Sequence, residues 1–252
     1  MLLTQYARNG PLIQESRDFV RLVAAGYSRP ERRRRLVVDN ALGRRSFKSR
    51  RNLFEALEMR FSEQSHARDL GVLSYSSANP RALSVGFLTE LAGHDELVAS
   101  YLQFVYSRIG EERRFIDARF FIAELATSST AAATWAPSLQ RRAVASLNSL
   151  PAQFGLWESP APEIVQRPHL PLETLGLLFL WQLERNESVL SVPFLKIIAM
   201  PKGDILESLW ACARRGWFEI EASGDIVRAR AESGDVGVLL GVDRALVAAD
   251  RS

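Results

Sequence analysis

The chain has 252 residues, 47% of them hydrophobic and 24% charged, which is enough apolar material for a buried core and too much for global disorder. Its single cysteine, Cys212, excludes an internal disulfide framework and points to a reducing compartment. The net charge of +3 hides an asymmetry: residues 1–150 carry 22 Lys+Arg against 15 Asp+Glu, and residues 151–252 carry 10 against 14, so the first part is the one suited to a polyanion.

Residues 1–10 show no basic flank followed by a long apolar run, so no secretory signal is expected. The apolar run 175–183 is far below the ~20 residues that span a bilayer. A cytoplasmic protein without membrane association is therefore expected.

In chain order, residues 1–13 read as an irregular start. The spacing of Phe19, Leu22 and Val23 predicts a helix over 14–25, ended by Gly26. Pro30 suits the first turn of a helix over 30–42, with Gly43 as its left-handed stop. Ser46 or Ser49 can cap a helix over 48–61, striped by Leu53, Phe54, Leu57 and Phe61. Residues 63–78 read as a polar stretch leading to the turn signal Asn79-Pro80. Helices are predicted over 80–91 and 95–108, broken at Gly93, then over 114–125 and 137–154, with a possible interruption at Pro151.

Prolines 160, 162, 168 and 171 mark a boundary. The expected organisation is a basic all-helical domain over 1–158, a Pro-rich linker over 159–170 and a smaller α+β domain over 171–252. In the last, 172–185 reads as an apolar helix, 189–192 as a short strand and 193–200 as a short helix. Asp204 is expected to cap a helix to Arg215. Segments 217–222 and 226–231 read as a hairpin about Ser223-Gly224, and 236–240 as a third strand. That order is the order of a winged helix-turn-helix.

Between Arg29 and Arg51 stand ten basic residues against two acids, Glu31 and Asp39. Arg29, Arg32, Arg33, Arg44, Arg45, Lys48 and Arg51 are the expected phosphate contacts of a nucleic-acid backbone. The alternative is a solvated face with Arg35 paired to Asp39 and Arg51 to Glu55. Arg34 and Arg50 fall on or near apolar stripes, where either can be structural.

In the C-terminal segment, Arg214, Arg228 and Arg230 are possible secondary contacts. A two-residue loop at Ser223-Gly224 sets Glu219 opposite Arg228 and Trp217 opposite Arg230, which partly consumes the wing arginines. The 204–215 helix is acidic at its leading end, and this favours docking of a protein. Few aromatics are expected to accompany the arginines, which argues against single-strand stacking.

His66, His94 and His169 lack metal-ligand spacing, and Cys212 lies on the apolar side of its helix. No glycine-rich phosphate loop is present. No enzyme activity, metal or cofactor is expected.

Several of these elements also resemble a known family. Glu15 and Phe19, the Gly26-Tyr27-Ser28 break, Val38-x-Asn40-x-Leu42, the element RRSFKSRRN, Leu57 with Arg60, and ASLNSLPAQFGLWE together resemble the BrxA family of BREX phage-defence systems, over roughly residues 12–157. The resemblance implies a mostly helical, non-enzymatic accessory protein with a NusB-like fold that binds double-stranded DNA. It implies as partners the other BREX components: a methyltransferase, a large ATPase and a phosphatase-like protein. Arg45, Ser46, Ser49 and Arg50 are the positions it carries over. The expected function is thus duplex-DNA binding in phage defence. The alternatives are a protein-interaction adaptor working through the acidic winged-helix segment and an RNA-binding NusB-like protein.

Overall fold

A computed structural model describes residues 9–76, 79–128, 135–157, 162–223 and 226–242. They are mainly helical, with one two-stranded antiparallel sheet among them. The helices are α1 Ile13–Ala24, α2 Arg29–Arg33, α3 Phe47–Arg60, α4 Gln64–Leu73, α5 Pro80–His94, α6 Glu96–Tyr106, α7 Ala118–Ser128 and α8 Pro137–Gln153. Next come α9 Leu172–Glu184, α10 Pro193–Ile197, α11 Lys202–Arg214, the strands β1 Phe218–Ser223 and β2 Ile226–Ala231, and finally α12 Val236–Leu240.

The stripe on α3 packs as its spacing demands. Phe54, Leu57 and Phe61 are wholly buried, and Phe19 of α1 stacks on Phe61 at 5.6 Å, which in turn meets Phe87 of α5 edge-on at 5.7 Å. Such ring pairs add to their area burial. Helices α1 and α4 lie in close contact, because Gly71 leaves room for the Val20 backbone.

The polar stretch 63–78 is largely helix α4, which the charge pattern concealed. Its His66 and Asp69 are buried and partnered rather than solvated.

The segment after the prolines is tied to the preceding helices. Residues 163–165 pair with 110–113 through Arg113 N–H to Glu163 C=O at 2.7 Å and Val165 N–H to Glu111 C=O at 2.8 Å. Thr174 of α9 donates to the Ala82 carbonyl of α5 at 2.9 Å. Trp181 of α9 donates to Asp69 Oδ2 at 2.8 Å and stacks on His66 with centroids 3.9 Å apart. Residues 158–161, which include the start of the linker expected over 159–170, lie outside the described residues.

Several local expectations are corrected. The predicted single helix over 30–42 is α2 followed by a π-helical turn, Arg34–Val38, closed by Asp39 N–H to Arg34 C=O at 2.9 Å. The wider turn lets Leu36 and Val37 both reach the core, and Asn40, at φ 57°, ends it before Gly43. Helix α5 runs through Gly93, and the break falls at Asp95, whose side chain caps α6. Segment 114–125 divides into a 3₁₀ turn, Arg113–Ile116, and α7. Pro151 sits inside α8 without interrupting it.

Further along, Val189–Ser191 is a 3₁₀ turn, not a strand. Helix α11 starts at Lys202, so Asp204 lies in its first turn and is not its cap. The expected third strand is α12, because Asp235 Oδ1 accepts the Gly237 N–H at 2.8 Å and caps it. In the hairpin, Glu219 opposes Arg230 and Glu221 opposes Arg228, a register shifted by two residues from the expected one. Residues 224 and 225 lie outside the described residues.

Burial raises the Asp69 carboxyl to about 6, against the lowering effect of the Trp181 hydrogen bond. Because the folded-state value exceeds the unfolded one, the folded chain holds the extra proton, and this contribution to stability is lost as pH rises from about 4 through 6. Asp69→Asn keeps an oxygen for Trp181 and removes the buried charge. It should therefore stabilise the protein by roughly 2 kcal/mol at pH 7 and by little at pH 4. Denaturant unfolding of both proteins at the two pH values checks this, and an equal difference at both would refute it.

No helix among the described residues is long and apolar enough to cross a membrane.

Candidate nucleic-acid interface

The first turn of α3 and the residues flanking it gather Arg44, Arg45, Ser46, Lys48, Ser49, Arg50 and Arg51 of the predicted site. Ser46 takes the cap position, and its Oγ accepts the Ser49 N–H at 3.1 Å. The N–H groups of Phe47 and Lys48 precede the first intrahelical bond, Arg50 N–H to Ser46 C=O at 3.1 Å, and so remain available to an anion at the positive end of the helix dipole. A hollow of about 400 Å³ opens there, lined in part by Asn9, Arg44, Ser46, Lys48, Ser49 and Asn52.

The predicted cations divide into committed and available ones. Arg32 is buried, with Nε and Nη2 on Glu58 Oε1 at 3.2 and 2.9 Å and Nη1 on the Tyr27 carbonyl at 2.7 Å. It holds α2 against α3 and cannot contact phosphate, which corrects its assignment. Arg29 is shared between Glu55 and Glu58, each at 3.2 Å. Arg44 pairs with Glu15 of α1. Arg50 is half-buried, its Nη1 donating to the Val38 carbonyl at 3.4 Å. Arg33, Arg45, Lys48 and Arg51 are exposed and carry no ion pair among the described residues.

The predicted local pairs are replaced by other contacts. Arg35 donates to the Tyr27 hydroxyl at 2.6 Å, and it is Arg34 that approaches Asp39, at 4.0 Å. Arg34 is 79% exposed at its side chain rather than structural. Glu55 belongs to Arg29, which leaves Arg51 free. Two helices brought together by a core redistribute the acids.

The C-terminal cations stand apart from this cluster in sequence and element. Arg214 ends α11 and is exposed, and Arg228 and Arg230 are exposed on β2 opposite Glu221 and Glu219.

Aromatic exposure differs from expectation. Phe47, Phe115, Phe120 and Trp210 are all exposed. Phe47 lies outside the predicted helix over 48–61, and the structure makes it the exposed first residue of α3, with the buried stripe beginning at Leu53. The histidines also differ from their isolated reading. His66 Nδ1 lies 2.8 Å from Glu90, and His94 Nε2 lies 4.0 Å from the same carboxylate. The described residues contain no group of three or more His, Cys, Asp or Glu side chains placed to hold a metal ion. Cys212 is fully buried, and burial pushes its thiol up to about 12, so little thiolate exists at neutral pH.

No protein-family model, curated protein or solved structure matches the chain.

Proposed function

We propose that this chain is a duplex-DNA-binding protein that grips the phosphate backbone with the first turn of α3. The observation that carries this reading is the set of exposed, unpartnered cations, Arg45, Lys48 and Arg51 on and around an open helix N-terminus, with Arg33 likewise exposed on α2. Four cations that keep their charge in water form contacts by counterion release and without breaking internal pairs. Phosphate contacts carry no sequence information, so the binding is tolerant of sequence. In this reading Arg45, Ser46, Lys48 and Ser49 surround one phosphate, and Arg214, Arg228 and Arg230 add secondary contacts.

The resemblance to the BrxA family supports assigning the protein to a BREX-type phage-defence system as a non-enzymatic accessory component. The helical part is then NusB-like, and α11 with the hairpin is a winged helix. Its protein partners are the methyltransferase, the ATPase and the phosphatase-like component.

A second reading, protein docking through α11, is favoured by the exposure of Trp210 on that helix beside Glu207 and Arg214, since an exposed tryptophan beside charge is a frequent interface anchor.

A gel-shift titration against a random-sequence DNA duplex, its single strand and the matching RNA duplex, each at two salt concentrations, tests the first reading. Duplex DNA is expected to bind best, with log affinity falling by about 0.9 per log salt for each phosphate neutralised. Failure to bind any of the three at low salt refutes it and favours docking.

A further inference from the structure

Two of the most exposed large apolar side chains, Val38 at 57% and Phe47 at 52%, stand inside the cationic cluster. Arg50 links them: it donates to the Val38 carbonyl at 3.4 Å and its guanidinium carbon lies 5.6 Å from the Phe47 ring centroid. Phe47 is the first residue of α3, and Arg45, Ser46, Lys48 and Ser49 on either side of it are all exposed. The phenyl ring therefore projects from the turn that carries the free positive charge, braced from behind by a half-buried guanidinium.

We propose that Phe47 is an apolar wedge that enters a base step of duplex DNA from the minor groove and bends the duplex; the proposal rests on the duplex-binding reading above. Proteins that bend DNA in this way combine phosphate-neutralising cations with a single inserted side chain, and the unstacking cost is offset by wider backbone contact. The charge complementarity here selects a polyanion, and the exposed phenyl ring supplies what phosphate contacts alone do not require.

A membrane surface fits less well, because the exposed face of α3 continues as Arg51, Asn52 and Glu55, with no apolar stripe to lie among acyl chains. A single phenyl also falls short of the run of stacking platforms that a single strand uses. The wedge gives specificity without base hydrogen bonds: flexible TA or CA/TG steps, which kink easily, are favoured over stiff A-tracts.

The test is energy transfer between dyes at the ends of a duplex of about 30 base pairs carrying a central TA step or an A-tract. It uses the full chain, Phe47→Ala and Phe47→Leu, with salt-dependent affinity measured in parallel. The wild type is expected to bring the dyes closer and to prefer the TA duplex. Phe47→Ala should lose the bend and bind about tenfold more weakly with an unchanged salt slope, and Phe47→Leu should keep the bend.

A wild type that binds but leaves the duplex straight, or a Phe47→Ala protein that bends it equally, overturns the wedge and leaves phosphate binding intact. Absence of duplex binding by the wild type overturns both readings. Binding to phosphatidylserine vesicles that is lost in Phe47→Ala while duplex bending persists assigns the side chain to a lipid surface and overturns the proposal. Because Phe47 is exposed, thermal unfolding of the variants should match the wild type.

Discussion

Arg45→Glu, Lys48→Glu and Arg51→Glu, combined in one protein, are expected to weaken duplex-DNA binding about a thousandfold at moderate salt and to flatten the log–log salt dependence by about 2.7. Three phosphate contacts would be lost, and three carboxylates would repel the backbone at the same points. None of the three side chains holds an ion pair among the described residues, so the variant should melt with the wild type. The loss should be equal for unrelated sequences, because positioning contacts do not read bases. Arg32 does not belong in the set: it is buried on Glu58 and the Tyr27 carbonyl, and its replacement would report on folding. Affinity and salt slope both unchanged in the triple variant would remove the α3 turn from the interface.

Gly71→Ala should give the largest single-residue effect on stability. A Cβ at this position would stand 2.3 Å from the Val20 carbonyl oxygen and 2.5 Å from the Ala24 Cβ. The nearer clash is with helical backbone, so no rotamer change relieves it, and α1 and α4 must separate. Overpacking of this kind costs about 3 kcal/mol, against which the gain in helix propensity, at most ~1 kcal/mol, is minor. The melting temperature should fall by roughly 10 °C, and the denaturant midpoint should fall with an unchanged slope. Gly93→Ala is the matched control, since a Cβ there meets nothing within 4 Å in the same kind of element. A Gly71→Ala protein that melts with the wild type would show that these two helices are not in contact as described.

Much of the helical class was legible in the chain itself. Local chemistry narrowed the cap of α3 to Ser46 or Ser49 and specified its apolar stripe, the proline start of α5 and the hairpin segments, because each depends on neighbours a few residues away. Short elements were not legible. Five residues at 236–240 satisfy a strand pattern and a helix pattern equally well, and it is the Asp235 cap that selects the helix. The π-helical turn at Arg34–Val38 has no periodicity of its own and follows from the demand that both Leu36 and Val37 be buried. Helix α4 was hidden because its polar residues find partners in other elements, Asp69 in Trp181 and His66 in Glu90.

By itself the sequence determined that this protein carries an excess of arginine on a helix–turn–helix stretch, since composition and caps are local properties. Which of those cations are free was decided only by the tertiary structure. Glu15, Glu55 and Glu58 lie far along the chain from Arg44, Arg29 and Arg32, yet the core brings each within reach, and Glu55, expected to pair locally with Arg51, is drawn away to Arg29. The exposure of Phe47 was likewise decided by packing: the buried stripe of α3 begins only at Leu53, six residues further along. Charge is counted residue by residue, whereas availability for binding is what remains after packing has made its pairs.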